Sequence, residues 1–441
     1  MINVAIIGYG TVGNGVAYIL ENQKNLLKEK SNCEINLYKV FTRNWNKNFP
    51  YPLKDEKKAY SLEEIVGDKN VHIVVEVAGG IDFPYKVITE AIKNGKHVVT
   101  ANKALLAEKG KDLFELASRK NVRIGFEAAV AGGIPIIKTL REGLIANNIK
   151  KVYGILNGTT NYILTAMESQ GKSFKQALRE AQEKGYAEAD PTLDINGTDA
   201  AHKISILASL SFGGFLNFSE VYVEGIENID TLDIELGKEL GYTLKLLAIA
   251  KSHDRDVEVR VHPTFLRSDH PLSKVSGVFN AVMVEGDNVG EVMLQGRGAG
   301  SLPTASAVVS DIVNIAKSIQ IGIGQEIEVT SMNWKHKDLN LTKAKDFFTR
   351  YYIRFTVPDI TGILAKIASV FASYNISIAA VIQKEKVVKL QKESSQHIVP
   401  LVILTHTASE NSIQQAIREI VRNKLCLKKP VIIRVEDEEE I

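Results

Sequence analysis

The chain has almost no cysteine: Cys33 and Cys426 are the only two among its 441 residues. Two thiols cannot build a disulfide framework in a chain of this length, and their scarcity points to a reducing compartment. An excess of charge is missing too. The 54 basic and 52 acidic residues leave a formal net charge of +2, so nothing general attracts nucleic acid or an anionic membrane. No apolar run approaches the roughly 20 residues of a membrane span. The opening MINVAIIGYG lacks the basic leader of a signal peptide. These absences predict a cytoplasmic protein with no nucleic-acid or membrane partner. What is present is an ordinary globular composition, 45% hydrophobic and 24% charged, with length for two or three domains.

Residues 2–7 form a short run of β-branched and apolar residues, the pattern of a buried parallel strand. Gly8-Tyr9-Gly10-Thr11-Val12-Gly13 follows, and a helical pattern follows that. Strand, GxGxxG and helix in this order make a dinucleotide-binding fingerprint. Gly8 permits the tight turn, Gly10 admits the pyrophosphate, and Gly13 lets the helix pack close to the strand. The second strand, about Ile35–Phe41, ends at Thr42-Arg43 rather than at an acid. Arg43 can pair with a 2′-phosphate, which favours NADP over NAD; the alternative is a solvated arginine. Further strands at 71–80, 96–100 and 122–126 alternate with helices at 84–94 and 104–119, giving a doubly wound α/β domain. Lys103 stands just past the 96–100 strand, where open α/β sheets bind ligands.

Residues 185–203, GYAEADPTLDINGTDAAHK, place four carboxylates, a histidine and a lysine in a polar, turn-rich stretch. Asp199 and Lys203 are four apart at a predicted helix start, so they share one face. Such a pair is either proton chemistry or an ordinary helix salt bridge. His202, on another face, reads as packing. The loop after the 122–126 strand offers Glu127 and several backbone carbonyls, a set compatible with a hard monovalent cation. Pro135 opens a predicted helix, IPIIKTLREGL. A strand at KVYGILN, a helix from Gly158 and a capped helix over 173–184 follow. Strands near 221–226, 243–253, 257–266, 277–285 and 289–296 predict an open mixed sheet with helices on one face. The glycine-rich turn and apolar helix at 296–319 can return to the first domain. Residues 321–349 read as a polar connector. From 350 the order is β-α-β-β-α-β, a ferredoxin-like layout without a catalytic cluster. The acidic Glu436–Glu440 tail reads as solvated.

Taken together, GYGTVG, GKHVVTANK, FEAAVAGGIPIIKTLREGL, GILNGTTNYIL, GYAEADPTLDINGTDAAHK and GRGAGSLPTASAVVSDI resemble homoserine dehydrogenase over about residues 1–320. The last 90 or so residues resemble an ACT domain, and the first strand at the start of the chain is similar to the monofunctional form. The resemblance implies a Rossmann nucleotide domain at 1–134 plus about 303–320, an α+β catalytic and dimerisation domain at 135–302, the connector at 321–349 and an ACT-like module at 350–441. It implies reversible hydride transfer between homoserine and aspartate 4-semialdehyde with NAD(P), on the route to threonine, methionine and isoleucine. Lys203 takes the catalytic lysine's place and Lys103 that of a second essential lysine. Glu188 and Asp199 match the substrate-binding acids. Gly8, Gly10, Thr11, Val12, Gly13, Arg43, Lys103, Gly185 and Gly300 match the cofactor site. A sodium-type ion falls on Glu127 and the carbonyls of Val130, Gly132 and Ile134. A homodimer or homotetramer is expected, and threonine is the expected effector. Asp359-Ile360-Thr361-Gly362 departs from the ACT pattern DxPG by carrying threonine for proline.

Two cations at a domain interface also make chemical sense. A lysine with its ordinary pKa near 10.4 is a poor acid–base catalyst at neutral pH, and a second cation lowers that value. Two other readings compete. A semialdehyde dehydrogenase needs a thiolate, and neither Cys33 nor Cys426 lies in these motifs. A redox sensor without turnover needs no lysine–acid set.

Overall fold

Six short strands form the first layer because their residues are buried on both faces. The structure, a computed structural model, describes residues 1–253, 256–321, 338–383 and 398–436. Strands β1 (Ile2–Ile7), β2 (Ile35–Phe41), β3 (Lys58–Ala59), β4 (Ile73–Glu76), β5 (His97–Thr100) and β6 (Ile124–Gly125) pair in parallel in the order β3-β2-β1-β4-β5-β6. The helices between them are α1 (Thr11–Asn22), α2 (Lys24–Ser31), α3 (Glu63–Val66), α4 (Asp82–Lys93) and α5 (Lys103–Arg119). Asn102 caps α5 by accepting the Leu105 N–H, which starts the helix one residue past the β5 turn.

The second layer begins with a departure from expectation. After Pro135 only α6 (Ile136–Lys138) is α-helical, and Thr139–Gly143 forms a π-helical turn. Then come β7 (Ile149–Ile155), α7 (Gly158–Gln170), α8 (Phe174–Glu183), α9 (Thr192–Ile195) and α10 (Thr198–Phe212). Ser173 and Gln176 close the capping box on α8. The two-residue β8 (Tyr222–Val223), α11 (Thr231–Glu239), β9 (Tyr242–His253), β10 (Asp256–Arg267), β11 (Phe279–Gly286) and β12 (Gly290–Arg297) complete it. Helix α12 (Ser301–Ile321) runs back along α1, and its Ala305, Val308, Ile312 and Ile315 join the core that holds Val4, Ile6, Val16 and Leu20.

The C-terminal module comprises β13 (Phe348–Pro358), α13 (Ile363–Ser373), β14 (Ile378–Gln383), β15 (Ile398–Thr405), β16 (Ala408–Ser409), α14 (Glu410–Arg422) and β17 (Val431–Glu436). Its sheet is not separate. Strand β17 pairs in parallel with β10, Thr264 opposite Arg434 and Leu266 opposite Glu436. One sheet therefore runs β12-β11-β7-β9-β10-β17-β13-β15-β14 through both modules. Buried ion pairs reinforce the junction. Arg354 forks onto Asp233 at 2.6 and 2.9 Å, and Arg434, itself forked onto Glu410 within the module, reaches across to Glu224 at 2.8 Å and to the Tyr222 hydroxyl at 2.7 Å.

Two sequence expectations change here. Glu436 is not solvated: it is held by Lys251, by Arg260 at 3.1 Å and by the Tyr153 hydroxyl at 3.0 Å. Residues 437–441 lie outside the described residues, as does most of the 321–349 connector. Its described end bridges Phe215 and Val257, so it is tied to the catalytic layer. Among the described residues no helix is long and apolar enough to cross a membrane.

Candidate active site

The carboxyl ends of the first sheet face the amino-terminal part of α10 across a cavity of about 600 Å³. Its walls include Thr11 and Val12 from the glycine-rich turn, Lys103 at the start of α5, and Glu188, Asp194, Asp199 and Lys203 from the 185–203 stretch. Gly185 and Gly300 line it as well.

Each wall residue has a local cause. Gly197, in a left-handed conformation with φ +86°, turns the chain into α10 and puts Asp199 in the helix's first turn. Lys203 follows one turn later on the same face. Its ammonium donates to Asp199 Oδ2 at 2.7 Å and to the Leu156 carbonyl at 2.6 Å. The other oxygen of Asp199 pairs with Lys103, Nζ to Oδ1 3.1 Å. One carboxylate thus joins a lysine from each layer.

The charges respond unequally. Burial lowers the Lys203 pKa; Asp199 opposes this and Lys103 adds to it. Lys103 shifts the other way: Asp199 raises it, so the mutual lowering of the two lysines reaches only Lys203. Burial works against the Asp199 carboxylate, but Lys203 and Lys103 outweigh it and hold its pKa below the usual range.

Asn157 and Asp194 carry more than the sequence reading assigned them. The Asn157 amide donates to Asp194 Oδ1 at 2.7 Å and to Asp199 Oδ2 at 2.8 Å, and its oxygen caps α7 through the Thr160 N–H. Its place before Gly158 at a helix start was the available signal. Asp194, read as loop support, lies in the cavity wall, and burial raises its pKa. Asp190 stays outside, exposed, accepting from Thr192. Glu188 is exposed at the cavity edge. His202 is buried and stacked on Phe218, ring centroids 4.4 Å apart, and burial lowers its pKa to about 4. Neither cysteine lines the cavity.

The glycine-rich turn fits a dinucleotide. Gly8 has φ +105°, and a Cβ on Gly13 would sit 1.9 Å from the Gly8 carbonyl oxygen, so neither tolerates a side chain. A Cβ on Gly10 would meet nothing within 4 Å, leaving room beside the uncapped start of α1 for a phosphate. Arg43 lies past β2 with its guanidinium 4.3 Å from the centre of the Phe83 ring. Gly300 has φ +125°.

Glu127 is buried, and its two oxygens accept the N–H groups of Ile137 and Lys138, each at 2.9 Å. Burial, then Asp311, raises its pKa to about 7. The Ile134 carbonyl accepts from Ile136 at 2.8 Å, and Ala131 and Gly132 both have positive φ, which turns the Val130–Ile134 loop sharply beside Glu127. A buried carboxylate beside a carbonyl-rich loop suits a hard monovalent cation. Among the described residues no group of three or more His, Cys, Asp and Glu side chains is placed to hold a metal.

Comparison with known proteins places the whole chain in one family. The homoserine dehydrogenase family profile matches residues 135–313, the homoserine dehydrogenase NAD-binding domain profile residues 8–127, and the ACT domain profile residues 351–422. The chain is 42% identical to a homoserine dehydrogenase of Neisseria gonorrhoeae, over 99% of this chain and 98% of that one. The crystal structure of a homoserine dehydrogenase from Thiobacillus denitrificans superposes with a TM-score of 0.92 at 39% identity, covering 99% of this chain and 98% of that chain. A hyperthermophilic archaeal homoserine dehydrogenase in complex with NADPH covers 71% of this chain and 97% of its own, with a TM-score of 0.58 at 32% identity.

Proposed function

The chain belongs to the homoserine dehydrogenase family and is an NAD(P)-dependent oxidoreductase acting on the CH–OH group of homoserine, and from this premise we propose how its own residues divide the work. The observation that carries the proposal is the bridge of Asp199 to Lys203 and Lys103. NAD(P) gives or takes the hydride. Lys203 gives a proton to the oxygen of aspartate 4-semialdehyde as it becomes an alcohol, and takes it back from homoserine in reverse. A buried lysine with a lowered pKa is suited to that exchange. Both oxygens of Asp199 are taken by lysines, so it holds Lys203 in place rather than binding substrate alone. Lys103 adds positive charge where the cofactor and substrate meet. Glu188, at the cavity edge, takes the substrate ammonium. Homoserine-dependent reduction of NADP+ tests the assignment, with Lys103→Ala and Glu188→Ala expected to lower kcat/KM.

NADP is the proposed preferred cofactor, held by Gly8, Gly10, Thr11, Val12, Gly13, Gly185 and Gly300, with Arg43 on the 2′-phosphate. Arg43→Ala should then lower kcat/KM for NADP more than for NAD. Sodium is the proposed ion on Glu127 and the carbonyls of Val130, Gly132 and Ile134. Replacing it with tetramethylammonium at constant ionic strength should lower the thermal midpoint, an effect absent in Glu127→Ala. The enzyme is placed in the cytoplasm, on the route to threonine, methionine and isoleucine. Domain limits are assigned at 1–134 plus about 303–320, 135–302 and 350–441. Threonine is the proposed effector of the ACT domain, where Gly362, at φ +84°, keeps the turn before α13 open. A dimer or tetramer is assigned because β12 and β14 end the sheet as uncovered edges among the described residues.

A further inference from the structure

Asn280 is 1% exposed, yet neither its amide oxygen nor its amide nitrogen has a hydrogen-bond partner among the described residues. Leaving both ends of a buried amide unpaired is costly, so a native site of this kind is completed by ordered water or by a ligand that displaces it. The side chain lines the active-site cavity, and two glycines make room for it. A Cβ on Gly298 would come within 2.1–2.3 Å of all three terminal amide atoms, and one on Gly158 would come 3.5 Å from Oδ1. The residue is also firmly placed. Its strand pairs with Gly296 of β12, and Asn161 donates to the neighbouring Phe279 carbonyl at 3.1 Å.

The amide presents a donor and an acceptor side by side. Homoserine would satisfy both ends only through two separate groups, its ammonium or hydroxyl at the amide oxygen and its carboxylate or hydroxyl at the amide nitrogen. The dinucleotide carries two groups that match this pair in one plane, the adenine edge and the primary carboxamide of the nicotinamide ring; the adenosine belongs at the β2 end of the sheet, whereas Asn280 shares its cavity with Lys203. Position agrees. The Ser301 hydroxyl donates to the Thr11 carbonyl at 2.8 Å, which joins the glycine-rich turn to this loop. Gly298 lies three residues before Ser301, within about 11 Å of chain. The cavity continues from Thr11 past Asn280 to Lys203.

We propose that Asn280 binds the nicotinamide carboxamide and thereby sets the ring's orientation beside Lys203. This rests on the reading that NAD(P) occupies the cavity. Calorimetric titration of the full chain tests it with three ligands: NADPH, its 3-acetylpyridine analogue, which lacks the carboxamide N–H, and 2′-phospho-ADP-ribose, which lacks the ring. In the wild type the analogue should bind several-fold more weakly than NADPH. Asn280→Ala should lose about tenfold in NADPH affinity, bind NADPH and the analogue alike, and keep wild-type affinity for 2′-phospho-ADP-ribose. Gly298→Ala, whose Cβ displaces the amide, should show the same pattern should Asn280→Ala fold poorly. Equal loss for all three ligands, or no loss for any, overturns the assignment. So does a rise in the KM for homoserine with NADPH affinity unchanged. Failure of the wild type to bind 2′-phospho-ADP-ribose would instead overturn the nucleotide site itself.

Discussion

Asp199 Oδ2 lies 2.7 Å from the Lys203 ammonium, and Asp199 Oδ1 lies 3.1 Å from the Lys103 ammonium. The first contact is local to one helix. The second crosses from the catalytic layer to the nucleotide layer, so a single carboxylate holds the two halves of the site in register.

Lys203→Met should lower kcat by a factor on the order of 10²–10⁴, the usual contribution of a positioned acid–base group. Its hydrogen bonds run to Leu156 and Asp199, so NADPH affinity should stay within about twofold. Turnover near wild type in steady-state assays would remove its assigned role.

Asp199→Asn keeps the shape and removes the charge. Asp199 raises Lys103 and opposes the lowering of Lys203, so both lysines should titrate at lower pH in the variant. The limb of the homoserine-oxidation profile that reports neutral Lys203 should move to lower pH. An unpaired buried ammonium also costs about 3 kcal/mol of stability, readable by urea unfolding.

Gly13→Ala places a Cβ 1.9 Å from the Gly8 carbonyl oxygen. Relief requires the turn to move away from α1, at a cost of about 1–3 kcal/mol. NADPH titration should show at least about tenfold weaker binding.

Lys245 is buried, and burial lowers its pKa to about 8; its ammonium donates to the Val275 carbonyl at 2.6 Å. The unfolded chain has the ordinary value near 10.4. Between about pH 8 and 10.4 the unfolded state binds more protons, so this group makes stability rise with pH across that window, by about 3 kcal/mol in all. Chemical denaturation of Lys245→Met at successive pH values should show that contribution gone.

Arg354→Ala leaves the buried Asp233 without its fork partner at the junction of the C-terminal module and α11. Loss of about 3 kcal/mol is expected. Limited proteolysis should cleave the C-terminal module faster than in wild type.

Much of the fold was legible because it is written in local periodicity. Continuous apolar runs marked β1 and β4, the Ser173–Gln176 box marked α8, and the glycines at 8, 10 and 13 marked the nucleotide turn. The segment after Pro135 is helical as its pattern predicts, but it passes from α to π geometry at Thr139. Its Ile136 and Ile137 are buried and their neighbourhood is set by Glu127, whose carboxylate binds the Ile137 and Lys138 N–H groups, an influence from ten residues away that periodicity does not carry. Glu436, the first residue of the acidic tail, departs from expectation for a similar reason. Glu436 looks solvated from composition, but Lys251, Arg260 and Tyr153 come from distant strands to meet it.

Sequence alone determined the strand–turn–helix that receives a dinucleotide and the shared helix face of Asp199 and Lys203, because both depend on residues within one or two turns of each other. Tertiary structure decided everything that needs two distant segments. Only packing brings Lys103 to Asp199, leaves the Asn280 amide buried and unpaired between Gly158 and Gly298, and joins β17 to β10 in one sheet. Lys103 and Asp199 are 96 positions apart, Gly158 and Asn280 122, and Thr264 and Arg434 170. Their closeness in space follows from how apolar faces are buried together, and no local pattern records it.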